Sequence, residues 1–271
     1  VTKTYDKLAD QKVVLDGYAL MGLASSYLNY GSVRAANAIY KILEEQYPML
    51  KERETNLYQL AMTTWTLGDV KRASELVEQH IKEFPNSKYA KVLNTMSLEK
   101  LLKEGKYDEC IQQAVKVKEL NADDPTGKFY ILASYCEPVA YFQLKKYKEA
   151  VPLFEEFIKK YPDNGSYTQQ SLFYLASSLT SLGRWKEAIE ADSAYIEKYP
   201  DFKDNPFIGN MLYDRAFNNL QLQTKENDAL ALKDCKTIID NLPESKVYPL
   251  ALLLMGNIYS SEPSKMDEAN E

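Results

Sequence analysis

Histidine occurs once in this chain, at His80, and cysteine three times, at Cys110, Cys136 and Cys235. Such scarcity removes most metal and nucleophile chemistry. There is no His-Glu-x-x-His pair and no short cysteine spacing of the kind that grips zinc. Glycine is sparse too, ten in 271 residues, and none of it forms a phosphate-cradling loop. Low-complexity runs are missing, which leaves little room for a long flexible linker. Positive charge is short: 33 Lys and Arg face 39 Asp and Glu, a formal net charge of -6. General binding to a nucleic-acid backbone needs clustered Lys and Arg and is therefore excluded. The longest apolar stretch, from Tyr248 to Tyr259, falls short of the ~20 residues a helix needs to span a bilayer. No secretory signal peptide is visible either.

What remains of reactive chemistry reads as ordinary. His80 sits beside Glu78 and Gln79 with no ligand partner nearby and reads as a helix residue. Acidic pairs such as Glu44-Glu45 and Glu155-Glu156 have the spacing of solvated helix faces. Cys110 and Cys235 occupy positions where the neighbouring stretches carry Ala, Val, Phe or Tyr, so they read as small buried hydrophobes. No catalytic residue, cofactor or metal is expected, and the chain reads as non-enzymatic.

Against these absences stands one strong presence, a repeat. A small residue is followed twelve positions later by proline at Ala36 and Pro48, Ala73 and Pro85, Ala150 and Pro162, Ala188 and Pro200, and Ala231 and Pro243. Cys110 holds the sixth instance, its turn displaced to the segment Asn121 to Pro125, and Ala269 opens a seventh. Self-similarity at this period marks units that cannot bury an apolar face alone and stack into one continuous core. The unit around residues 171–200 is the clearest. Leu172, Leu175, Ala176 and Leu179 form a stripe at helical spacing, and Gly183 ends that helix. A second helix from Trp185 turns Ala188, Ala191, Tyr195 and Ile196 inward until Pro200 stops it. Ala176 and Ala188 are short enough for the two helices to approach closely, and should face each other.

The pattern of small residue, Gly turn, aromatic, Ala and closing Pro resembles the tetratricopeptide repeat (TPR) over essentially the whole chain. The period here is near 38 residues, against a norm of ~34 in that family. The resemblance implies an all-α fold: a right-handed α-solenoid of antiparallel helix pairs, with six full repeats and a partial seventh. The repeats are expected at 12–48, 49–86, 87–125, 126–163, 164–201, 202–244 and 245–271, in a single solenoid. Pro138 falls mid-helix and should bend its helix, while Gln223 to Asp228 reads as an expanded polar turn. The face built from Leu250, Leu253, Leu254 and Ile258 reads as core awaiting a missing half-repeat. The chain starts at Val1 without Met, and Ser264 to Glu271 resembles the opening of a further second helix, so it reads as a piece of a longer protein.

In stacked repeats of this kind the first helices line a concave groove. Counting from the anchors places Tyr18, Met21, Ser25 and Leu28, then Tyr58, Met62 and Trp65, in that groove. Thr95 and Glu99 follow, then Tyr135, Val139 and Phe142, Phe173, Ser177 and Thr180, and Tyr213, Phe217 and Leu220. An aromatic at helical spacing serves core as readily as contact. As a candidate partner-binding set, Tyr18, Met21, Tyr58, Met62, Trp65, Tyr135, Phe142, Phe173, Tyr213 and Phe217 would supply aromatic and thioether anchors for a peptide or helix. Some members of the family grip chaperone-tail carboxylates through Lys, Asn and Arg on these faces; those residues are missing at the matching positions. The expected function is that of a protein-binding scaffold or adaptor within a larger assembly. The alternatives are a small-molecule or lipid carrier using the same groove, or a self-assembling structural solenoid, and an oligomer fits the last of these. Endings such as Phe157-Ile-Lys-Lys-Tyr161-Pro162 and Tyr195-Ile-Glu-Lys-Tyr199-Pro200 look like the longer repeats of bacterial envelope proteins, among them the Tol-Pal coordinator and the outer-membrane assembly lipoprotein. They imply a periplasmic or envelope-associated location; free cysteines favour a cytoplasmic one.

Overall fold

The structure, a computed structural model, describes residues 2–261. Within them the regular elements are thirteen α-helices, with no strand among the described residues. Six antiparallel pairs follow one another: α1 (Thr2–Asn29) with α2 (Val33–Gln46), α3 (Arg53–Thr66) with α4 (Val70–Glu83), and α5 (Ala90–Lys103) with α6 (Tyr107–Leu120). Then come α7 (Lys128–Gln143) with α8 (Tyr147–Lys160), α9 (Gly165–Ser181) with α10 (Trp185–Lys198), and α11 (Ile208–Gln221) with α12 (Lys225–Asn241). α13 (Tyr248–Ser261) opens a further unit. Ala269 and the rest of the expected seventh second helix lie outside the described residues. Packing divides the chain into two compact units, Val1–Cys136 and Glu137–Glu271.

The first helices of the six pairs end in the same way. One residue adopts a left-handed conformation: Gly31, Gly68, Gly105 and Gly183 at φ of 74°, 87°, 74° and 70°. Backbone bonds then close the turn, as from Gly31 to Leu28 at 2.9 Å and from Ser32 to Tyr27 at 2.8 Å. In the fourth and sixth pairs the position is taken by Lys145 (φ 58°) and Gln223 (φ 52°), with equivalent bonds from Lys145 to Phe142 and from Gln223 to Leu220. A side chain costs about 1 kcal/mol in that region. Lys145→Gly should therefore raise the melting temperature by about 1–3 °C. An unchanged or lower value in thermal denaturation would show that Lys145 carries no strain.

Five of the six second helices end on the residue before proline. Tyr47, Phe84, Tyr161, Tyr199 and Leu242 have φ between -127° and -132°. The ring of the following proline crowds this residue out of the helical region. Its N–H still closes the last turn, as from Phe84 to His80 at 2.8 Å. The anchors do what their size suggests: Ala36, Ala73, Cys110, Ala150, Ala188 and Ala231 are all 0 % exposed. Ala176 is buried alongside Ala188 in the α9/α10 pair. Burial pushes the Cys235 thiol up to about 12, as expected for an inert hydrophobic filler.

α7 is one helix from Lys128 to Gln143, with Pro138 buried inside it. One local expectation needs correction. The segment after Gln223 is no loop: Thr224 is the N-cap of α12, its hydroxyl accepting from Asn227 N–H at 3.2 Å. Thr224 is an extended residue followed by Glu226 and Asp228 in the first turn, a favourable helix start. On α13, Leu254 and Ile258 are buried, whereas Leu250 and Leu253 are 42 % and 63 % exposed.

Candidate functional site

In the first unit the expected face is only partly assembled. Tyr18, on α1, is 40 % exposed, and its hydroxyl bonds to the Glu52 carboxylate, which raises its pKa. Met21, Leu28, Tyr58, Met62 and Trp65 are half-buried and pack against the unit's core. Tyr58 stacks on Tyr89 with ring centroids 3.9 Å apart and planes within 5°. Tyr89, the residue before α5, also places its hydroxyl 3.1 Å from Thr55 Oγ1. It thus joins α3 to α5 and completes an aromatic surface. The anchor count missed it, because it lies a turn before the counted positions. Thr95 turns inward, its hydroxyl donating to the Lys91 carbonyl at 2.8 Å. Tyr135 is 7 % exposed and buried, since α7 packs most of its circumference between residues 132 and 140. Ser25 is exposed and Glu99 half-exposed.

His80 is not a surface residue. It is 0 % exposed; Nε2 lies 3.1 Å from the Glu54 carbonyl, and Nδ1 has no hydrogen-bond partner. Phe84 and Tyr89 flank the ring, with centroids at 5.1 and 6.1 Å. Burial lowers its pKa, outweighing the Glu54 carbonyl contact and the charges of Glu54 and Glu83. The folded protein therefore favours the neutral ring. Its contribution to stability is present above the unfolded value of about 6.5 and is lost as pH falls from there through the depressed folded value. Between pH 7 and 5 the unfolding free energy should drop, by up to about 1.4 kcal/mol per pH unit. A His80→Gln variant should lack that slope in urea titrations; an identical profile would sink the assignment.

The second unit carries the richer face. Phe142 (α7), Phe173 (α9) and Tyr213, Phe217 and Leu220 (α11) are half-buried, as are Ser177 and Thr180, while Val139 is buried. α9 and α11 adjoin directly, Phe173 stacking on Phe207 at the start of α11 with centroids 4.8 Å apart, and Trp185 of α10 meets Phe217 edge-on at 6.2 Å. Tyr174 lies between Phe142 at 4.8 Å and Phe154 at 5.8 Å, one aromatic layer joining α7, α8 and α9. Tyr174, Trp185 and Phe207 were not counted as site residues, because their contacts cross between helices.

Polar groups gather one repeat further on. Arg215 donates twice to Asp234, at 2.8 and 2.7 Å, and once to Ser193 at 3.2 Å. These residues, with Ile189, Asn219, Leu230 and Lys233, line a cleft of about 210 Å³ between α10, α11 and α12. Asp192 is 0 % exposed, and burial together with the charge of Asp214 raises its pKa well above the carboxylate range. Burial pushes Asp214 up to about 6. No group of three or more His, Cys, Asp or Glu side chains placed to hold a metal ion occurs among the described residues.

Residues 139–201 match the family model of the tetratricopeptide repeat. No curated protein is similar enough to count as a relative. Three solved structures share the architecture. A tetratricopeptide repeat protein from Parabacteroides merdae is 14 % identical, with a TM-score of 0.56 over 93 % of this chain and 89 % of its own. PilW, a type IV pilus biogenesis factor, is 16 % identical at 0.55, over 87 % and 98 % of the two chains. YrrB, a TPR protein with an unusual peptide-binding site, is 18 % identical at 0.58, over 80 % and 96 %. At this level of identity the likeness is one of fold: the chain folds as a tetratricopeptide-type array of helix pairs, and its segment 139–201 carries that family's sequence signature.

Proposed function

We propose that the protein is a non-catalytic scaffold that binds a partner protein through an extended peptide or helix laid across its first helices. The observation that carries this reading is the set of half-exposed rings on adjoining first helices, Tyr58 and Trp65 in one unit and Phe173, Tyr213 and Phe217 in the other. Rings of this kind supply large contact area at low entropic cost and act as hot spots in interfaces. The fold supports the same conclusion, since stacked helix pairs present extended binding surfaces.

Selection of binding peptides from a random phage-displayed library tests it. Peptides enriched by the intact protein should bind at least about tenfold more weakly to Trp65→Ala or Phe217→Ala, with melting temperatures close to the parent. Peptides that bind both variants and parent equally would move the contact to other surfaces. A place in the bacterial envelope belongs to the proposal and rests on the repeat endings at Pro162 and Pro200. Fractionation of cells carrying the tagged full-length protein checks it, and a cytosolic signal would overturn it.

A further inference from the structure

The aromatic layer of α7, α8 and α9 has a counterpart one repeat later, and its chemistry is inverted. The left-handed residues Lys145, Gly183 and Gln223 and the buried anchors Ala150 and Ala188 set the register. In that register Phe142 corresponds to Thr180, Phe154 to Asp192 and Tyr174 to Asp214. Three packed rings are thus replaced by a hydroxyl and two carboxyls at the same place between adjoining helices. Asn218, one turn beyond Asp214 on α11, ties the group together: its Nδ2 donates to Thr180 Oγ1 at 2.8 Å and to Asp192 Oδ2 at 3.1 Å.

This cluster leaves two buried polar atoms unpaired. Asp192 Oδ1 and Asn218 Oδ1 are both buried without a hydrogen-bond partner, and both residues are 0 % exposed. The nearby guanidinium, Arg215, is committed to Asp234 and Ser193. Asp234 is bonded to that cation and Asp192 feels its charge, whereas Asp214 has no basic partner among the described residues. A buried acceptor left unpaired is costly, and an apolar layer was available to the fold at this position, as the preceding repeat demonstrates. Asp214 and Thr180 are partly exposed and form the mouth of the cluster, beside Phe217 three residues along α11.

We infer that Asp214, backed by Asp192 and Asn218, receives a cationic side chain, a lysine ammonium or an arginine guanidinium, from the peptide bound across α9 and α11. The inference rests on the peptide-binding reading above and names the chemistry of its ligand. The partly exposed Asp214 carboxylate meets the ammonium directly, the buried Asp192 and Asn218 hold the polar layer behind it, and Phe217 lies three residues along the same helix.

The phage-displayed random library is again the probe. The intact protein should enrich peptides with one Lys or Arg at a fixed distance from apolar residues. Replacing that base by norleucine in a synthetic peptide should weaken binding about 10- to 100-fold. Asp214→Asn should weaken the basic peptide by a similar factor and leave the norleucine peptide unchanged, a coupling that a merely structural role would not produce. Asp214→Ser provides the same comparison should Asp214→Asn fail to melt cooperatively. Enriched peptides without a base, or a base whose replacement affects parent and variants alike, would overturn the cation pocket and make it a solvent-filled site, while the scaffold reading stands. No enrichment at all would overturn the scaffold reading and the pocket with it.

Discussion

Phe154→Ala is expected to destabilise the second unit by about 3–5 kcal/mol, seen as a lower urea midpoint. The Phe154 ring is 0 % exposed and sits on α8 with Tyr174 at 5.8 Å. Tyr174 in turn contacts Phe142 on α7 and Phe173 on its own helix, at 4.8 and 5.4 Å. Truncation removes the fully buried ring at one end of that layer and leaves a void that rigid helices cannot collapse into, so the transfer and cavity costs add. The corresponding position one repeat later makes the internal control. Asp192→Ala removes a buried carboxyl with an unfilled acceptor, and its cost should be far smaller or of opposite sign. Equal losses for the two variants would mean that both sites are stabilised by packing alone.

Asp234→Ala should cost about 2–4 kcal/mol. Asp234 is 4 % exposed and takes two bonds from the Arg215 guanidinium, whose side chain is 23 % exposed. Removing the carboxylate strands a cation that water reaches only in part. That partial access keeps the loss below the full penalty of a buried charge. The double variant Arg215→Met/Asp234→Leu removes both charges and should recover most of the loss, because no charge is then left uncompensated. Chemical denaturation of the three proteins decides it. A double variant as unstable as Asp234→Ala would show that packing volume, and not the stranded charge, dominates.

The helix pairs were legible because their signals are local. Proline forces the preceding residue out of the helix whatever surrounds it, and five pre-proline residues share one conformation. Alanine at the anchors reports a close approach that no larger side chain permits, and all six anchors within the described helices are fully buried. The left-handed conformation of Lys145 and Gln223 is not legible in the sequence, since nothing in a Lys or Gln advertises it; the flanking helices impose it. Thr224 escaped notice for a similar reason. Its polar neighbours read as loop, and only its hydroxyl bond to Asn227 makes them the first turn of α12.

The candidate face was legible by position but not by composition. Helical spacing put Tyr58, Trp65, Phe173 and Phe217 on one side of their helices, where they lie half-buried. The same spacing placed Tyr135 there, yet that ring is buried, because spacing gives a direction around one helix and not what stands opposite. The partners of the rings, Tyr89, Tyr174, Trp185 and Phe207, come from other helices. Backbone chemistry acts over a few residues, so repeat length, turns and caps can be read along the chain. Thr180, Asp192, Asp214 and Asn218 are up to 38 residues apart in sequence, and their meeting depends on how α9, α10 and α11 pack. That packing is a sum of many apolar contacts, and no single residue announces it.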